Sequence, residues 1–123
     1  MRVFLDTSVL SDLKLSDVGA EIVKRRLAGD EFYLSVVTHF QVMWGYRSAG
    51  LPSEKYERLL EVGEIEISTL TRADVEAAAE MKPKKSDLLD ALIAASVQRY
   101  DASIWTGDKD FLSLLPKSRV RLV

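Results

Sequence analysis

Short apolar runs alternate with stretches of helical period along the whole chain, and few architectures accommodate that alternation. Val3-Phe4-Leu5 reads as a strand ending on Asp6-Thr7-Ser8. A helix is expected from about Ser16, with Val18, Ile22, Val23 and Leu27 on one face and Gly29 as its stop. Phe32 to Val37 reads as a second strand, after which Thr38 is placed to cap a helix through Phe40, Val42, Met43 and Trp44. Leu51-Pro52-Ser53 opens another helix, with Pro52 near its start and Tyr56, Leu59 and Leu60 along it. Glu64 to Ser68 has the period-2 pattern of a short, half-exposed strand.

Thr71 to Met81 is expected to be helical, with Thr71 and Asp74 spaced as a capping box. Lys82 to Lys85 is a basic connection, and Ser86 begins the most apolar helix, running to about Tyr100. Ala102 to Trp105 reads as a strand, Asp108 to Leu115 as a turn or short helix, and Val120 to Val123 as a closing strand. Strands separated by helices pair through crossovers. The expectation is an α/β fold with a mostly parallel sheet covered on both faces.

At 123 residues the chain fits a single domain, residues 1–123, with one core. It is 47% hydrophobic and 29% charged, as ordinary globular proteins are. Zero cysteines exclude disulfides, thiolate metal sites and thiol catalysis. No apolar run reaches the roughly 20 residues that span a bilayer, so no membrane association is expected. Met1-Arg2 leads into only three apolar residues before Asp6, too few for a signal peptide core, and a cytoplasmic location is the expectation. The net charge of −2 provides no global basic field, so a phosphate-bearing substrate would need local basic patches or bound cations.

In open parallel sheets ligands bind beyond the carboxyl ends of the strands, which directs attention to the aspartates there. Asp6 ends the first strand and serves equally as a turn residue or a ligand. Asp90 interrupts Leu88-Leu89-Asp90-Ala91-Leu92-Ile93-Ala94-Ala95, which is apolar on nearly every other face. At helical spacing it stacks with Asp87, Ile93, Ala94 and Val97. A carboxylate there is costly unless it is paired, hydrogen-bonded or bound to metal. The alternative is a narrow solvated stripe with Asp87 near the helix start, where the helix dipole favours anions.

Asp108 follows the strand in Ile104-Trp105-Thr106-Gly107-Asp108-Lys109-Asp110-Phe111. It either caps the next turn or points inward, with Asp110 bracing the loop and the Thr106 hydroxyl orienting a ligand or water. Three carboxylates at one sheet edge describe an oxygen-ligand site for Mg²⁺ or Mn²⁺.

Three segments, Val3-Phe4-Leu5-Asp6-Thr7-Ser8-Val9-Leu10, Asp90-Ala91-Leu92-Ile93-Ala94-Ala95 and Trp105-Thr106-Gly107-Asp108-Lys109-Asp110-Phe111, resemble the PIN-domain family in order and spacing. Within it the chain is most similar to the short VapC-type toxins of toxin–antitoxin systems. The resemblance implies a three-layer α/β/α sandwich and a metal-dependent endoribonuclease that hydrolyses RNA. It further implies a homodimer inhibited by a cognate antitoxin protein. Asp6, Asp90 and Asp108 would be the catalytic, metal-binding residues, supported by Thr7, Ser8, Thr106 and Asp110. Family members carry Thr-x-x-Glu-(apolar)-x-x-Gly after the second strand, with the Glu in the active site. Here Thr38-His39-Phe40-Gln41-Val42-Met43-Trp44-Gly45 has Gln41 at that position. An amide oxygen can touch a metal or its water, but it carries no charge and cannot act as a base.

Lys82, Lys84 and Lys85 could grip flanking phosphates or form a solvated loop, and the same alternatives hold for Lys24-Arg25-Arg26, Lys117, Arg119 and Arg121. His39 is expected to face solvent or a partner rather than act as a base. Trp44, Met43 and Tyr46 are candidates for a partner surface, with core packing the default for Met43. A silent PIN-like module that binds RNA or protein is the main competing expectation. A haloacid-dehalogenase-type phosphatase would carry Asp where Ser8 stands, a receiver domain needs an acidic pair absent here, and no glycine-rich phosphate loop is present.

Overall fold

The computed structural model describes residues 1–123. Ten main elements follow one another: β1 (Arg2–Leu5), α1 (Leu15–Leu27), β2 (Glu31–Ser35), α2 (Val36–Ala49), α3 (Glu54–Val62), β3 (Glu66–Ser68), α4 (Arg72–Glu80), α5 (Leu88–Arg99), β4 (Ser103–Thr106) and β5 (Val120–Leu122). Short 3₁₀ turns cover Thr7–Val9, Lys85–Asp87, Lys109–Ser113 and Lys117–Arg119. The sheet order is β3-β2-β1-β4-β5, and all four pairings are parallel. β1 is therefore central, as its apolar sequence requires of a strand covered on both sides.

Strand alternation divides β1 between two cores. Val3 and Leu5 join Ile22, Phe32, Leu34, Tyr56, Leu59 and Trp105 under α1, α2 and α3. Phe4 joins Tyr33, Ile93, Ala94, Val97, Ile104 and Phe111 under α5. Ala91 and Ala95 of α5 turn instead to Ala78 of α4, and these small side chains let the two helices approach closely. Each fully buried large side chain contributes about 1.5–3 kcal/mol. The result is a three-layer α/β/α sandwich.

Local chemistry accounts for several boundaries. Thr71 and Asp74 form the expected capping box, each side chain accepting from the other's backbone N–H at 3.1 Å. Gly29 ends α1 with φ 99°, a conformation that favours glycine. The second strand stops two residues earlier than Phe32–Val37 predicts, because Ser35 rather than Thr38 caps α2 by accepting from the Val37 N–H at 3.1 Å. The β-branched pair Val36-Val37 suits a strand locally, but the cap turns it into the first helical turn. Thr38 is fully buried inside α2, and its hydroxyl has no partner.

On α1 the buried stripe is Leu15, Val18 and Ile22, whereas Leu27 is 88% exposed and Val23 also faces outward. The sheet is covered by only part of that helix. A 3₁₀ turn precedes the apolar helix, which begins at Leu88 rather than Ser86. No helix is long and apolar enough to cross a membrane.

Candidate active site

Alternation along the strands fixes which side of the sheet the terminal residues face. Leu5 and Trp105 pack under α1 and α3, so Asp6 and Thr106, one residue on, turn toward α5. Asp6 is buried, and its Oδ2 accepts from the Thr106 hydroxyl at 2.8 Å and the Ser8 hydroxyl at 2.9 Å. The Asp6 N–H donates to the Trp105 carbonyl at 3.0 Å, extending the β1–β4 ladder by one step. Ser8 Oγ accepts from the Gly107 N–H at 2.8 Å, and Thr106 Oγ1 accepts from the Asp108 N–H at 2.9 Å. Two hydroxyls thus staple the loop after β1 to the loop after β4 around one carboxylate.

Asp108 follows two residues later and caps its 3₁₀ turn, with Oδ1 accepting from the Asp110 N–H at 2.9 Å. The capping role expected of Asp108 is therefore realised, and its second carboxylate oxygen has no protein donor. Asp110 braces the loop through that N–H, while its own carboxylate stays exposed.

Asp90 stands one helical turn before Ile93 and Ala94 on the stripe of α5 that packs against the sheet. It is half-buried and makes no hydrogen bond with the protein. Burial, followed by repulsion from Asp6, Asp108, Asp87 and Asp110, pushes its carboxyl up to about 7. The structure therefore brings Asp6, Asp90 and Asp108 within electrostatic reach of one another. No basic side chain forms an ion pair with any of these five aspartates.

An uncompensated set of hard oxygen donors suits a divalent cation in charge and chemistry. The donors are not closed into a ready-made cage: no three acidic side chains lie close enough to ligate one ion as they stand. Seating a cation at Asp6, Asp90 and Asp108 requires their side chains to turn inward.

Gln41, on α2, meets the loop after β1 through Thr7. Its Oε1 accepts from the Thr7 hydroxyl at 2.9 Å, so Thr7 is tied to Gln41 rather than to the carboxylates. Lys82, Lys84 and Lys85 are exposed on the connection into α5 and form no ion pair with any of the aspartates. Lys82 instead borders an apolar groove of about 400 Å³ with Val75, Leu88 and Leu92.

One neighbouring residue escapes sequence reasoning as a site member. Lys14 donates to the Ser8 carbonyl at 3.3 Å, placing a cation beside the first loop. Its only signal is proximity in sequence to Asp6. Asp87, stacked with Asp90 at helical spacing, is buried rather than on a solvated stripe and adds to the negative field.

Other expectations need correction. His39 does not simply face solvent: its Nδ1 lies 2.7 Å from the hydroxyl of buried Tyr56, and the two rings stack. Tyr46 is no surface residue, since it is buried and its hydroxyl donates to Asp12 at 2.6 Å. Met43 packs partly against the core, and Trp44 alone of the three is exposed.

Residues 3–114 match the PIN domain. In structure the chain is similar to one from a toxin–antitoxin complex of Klebsiella pneumoniae, with 23% identity over 97% of this chain and 95% of that one, at a TM-score of 0.64. It is also similar to a chain of VapBC2 from Rickettsia felis bound to a DNA fragment from their promoter, with 15% identity over 100% and 99% of the two chains and a TM-score of 0.69. A chain of VapBC-1 from nontypeable Haemophilus influenzae aligns at 16% identity over 92% of each chain, with a TM-score of 0.67. No curated protein matches in sequence. At these identities the structural likeness speaks for the fold, and the sequence match across most of the chain speaks for the family: this protein belongs to the PIN domain family.

Proposed function

We propose that the protein is a divalent-metal-dependent endoribonuclease that hydrolyses RNA phosphodiester bonds and acts as the toxin of a VapC-type toxin–antitoxin pair in the cytoplasm. The observation that carries this reading is Asp90, a carboxyl pushed up to about 7 by burial and by four neighbouring aspartates, none of which has a cationic partner. Structural ion-pair networks do not leave such a charge uncompensated, whereas sites built for cations do.

Asp6, Asp90 and Asp108 would hold Mg²⁺ or Mn²⁺, which when bound supplies a water of lowered pKa and neutralises charge at the phosphate. Asp6 presents Oδ1, because Oδ2 is occupied by Ser8 and Thr106. Those hydroxyls fix the carboxylate's orientation and hold the two loops in register. Asp90, pushed up to about 7, gives up its proton more readily once a cation is bound beside it. Lys82, Lys84 and Lys85 are exposed at the entrance to α5 and would take phosphates flanking the scissile bond.

The likeness to chains from toxin–antitoxin and VapBC assemblies supports a protein antitoxin as partner. Val36, Phe40 and Trp44, exposed at successive turns of α2, offer an apolar stripe for a second copy of the chain in a homodimer.

The test is cleavage of single-stranded RNA by the purified protein with Mn²⁺, with loss in chelator and in Asp6→Asn. Intact RNA under all these conditions would reject the nuclease reading. It would favour a silent PIN-like module that binds RNA or protein, a reading supported by Gln41 at the position of an acid and by the open ligand set.

A further inference from the structure

The site has two unlike parts. Asp6, Asp87, Asp90, Asp108 and Asp110 make the β1, α5 and β4 side acidic, as the repulsion on Asp90 records. Gln41 of α2, by contrast, carries no charge. Thr7, next in sequence to Asp6, donates its hydroxyl to Gln41 Oε1 at 2.9 Å. That bond occupies the amide oxygen, the atom a cation would need, and leaves the Nε2 hydrogens outward. Nε2 has no acceptor in the protein and is not sealed from solvent. Thr7 and Gln41 together border a cavity of about 300 Å³ with Leu10, Val42 and Tyr46, whose one acidic residue, Asp12, accepts from the Tyr46 hydroxyl at 2.6 Å.

A carboxylate at this position would turn an acceptor and a negative charge toward the cleft. The isosteric amide turns a donor toward it instead. We propose that Gln41 is a substrate-binding residue whose Nε2 donates to a phosphate oxygen of the RNA backbone beside the scissile bond, and that it takes no part in holding a cation. Cations and substrate then have separate residues: the carboxylates gather the positive charge, and the uncharged amide of Gln41 meets the anionic strand without repulsion of its own. Thr7 is the positioning residue that fixes the amide's orientation. This inference rests on the nuclease reading above.

Two measurements on RNA-free and RNA-bound protein test it. Mn²⁺ binding is followed calorimetrically without RNA. Binding of a short fluorescein-labelled single-stranded RNA of mixed sequence is followed by anisotropy in Ca²⁺, with the RNA checked for intactness afterwards. Gln41→Ala is expected to weaken RNA binding about tenfold, the worth of one charge-assisted hydrogen bond, and to leave Mn²⁺ stoichiometry and affinity at wild-type values. Gln41→Glu should bind Mn²⁺ more tightly, or bind an additional ion, while weakening RNA at least as much as Gln41→Ala. Thr7→Val should reproduce part of the RNA defect, and Thr7→Ser should restore it.

Because Gln41 is half-buried at a cleft, unfolding temperatures near that of the wild type confirm that each variant is folded. A loss of Mn²⁺ affinity in Gln41→Ala, or RNA binding that ignores the substitution, overturns the assignment. Failure of the wild-type protein to cleave RNA in Mn²⁺ overturns the nuclease reading itself, which separates the two failures.

Discussion

Thr106 donates its hydroxyl hydrogen to Asp6 Oδ2 at 2.8 Å, joining residues 100 positions apart at the ends of adjacent parallel strands. Thr106 Oγ1 in turn accepts from the Asp108 N–H at 2.9 Å, so one buried hydroxyl orients two of the three central aspartates. Thr106→Val keeps the shape and removes both bonds. It is expected to cost about 1–2 kcal/mol in denaturant unfolding. Cleavage should fall about tenfold or more, as when residues that orient metal ligands are replaced. Thr106→Ser should recover most of both. Unchanged cleavage by Thr106→Val would show that the orientation of Asp6 is fixed elsewhere.

The displacement of Asp90 makes a prediction about stability. Its carboxyl is raised from the model-peptide range to about 7, first by burial and then by Asp6, Asp108, Asp87 and Asp110. In the unfolded chain it titrates near 4. The folded form therefore binds a proton that the unfolded form has lost, and stability falls as pH rises from about 4 to about 7. Asp90→Asn is expected to stabilise the cation-free protein at pH 8 by on the order of 2–4 kcal/mol, and to have little effect near pH 4. Urea unfolding in chelator across this range measures it. Equal stability of the two proteins at pH 8 would contradict the field described here.

Some of this was legible in the sequence, for reasons that differ by residue. Asp90 betrays itself because a single charge interrupts an apolar helix, and the 90/93/94/97 stripe depends only on helical period. The end of β1 follows from the switch from Val3-Phe4-Leu5 to polar residues. The meeting of Asp6 with Asp108 follows from the rule that parallel strands share a carboxyl edge. The contact through Thr106 does not, since spacing carries no record of which hydroxyl meets which carboxylate. Thr38 was the expected cap of α2, and the β-branched Val36-Val37, which reads as strand, concealed Ser35 in that role. Burial of Asp87 and the approach of Lys14 to Ser8 are tertiary events with no local signature.

The same contrast appears at Asp74, whose capping box was readable while its partner 25 residues away was not. Asp74 is 1% exposed and accepts from Arg99 Nε at 2.8 Å, Arg99 Nη2 at 3.1 Å and Ser96 Oγ at 3.2 Å. Burial pushes its carboxyl up, but the Arg99 bond, the Thr71 N–H and Ser96 outweigh burial and hold it below the ordinary carboxylate range. A depressed carboxyl contributes stability above its unfolded pKa, and that stability is lost as pH falls through the folded value. Arg99→Leu should therefore cost about 3 kcal/mol at pH 7 and less in acid, by leaving a buried charge short of its partner. Mn²⁺ affinity should not change, because this lock between α4 and α5 lies outside the aspartate cluster.

The outer face of α2 bears on assembly. Val36, Phe40 and Trp44 recur every four residues, and Phe40 and Trp44 are 67% and 64% exposed. Side chains this exposed contribute little to the folded monomer, so Phe40→Asp with Trp44→Asp should shift stability by no more than about 1 kcal/mol. Contiguous aromatic surface of this kind is instead stabilised when a partner covers it. The wild-type protein is expected to sediment as a dimer and the double variant as a monomer. Introduced charges at a desolvated interface lack partners, whereas on an open surface they are merely hydrated. A dimer that survives both substitutions would place the interface on another face, and a monomeric wild type would remove the homodimer from the proposed function altogether.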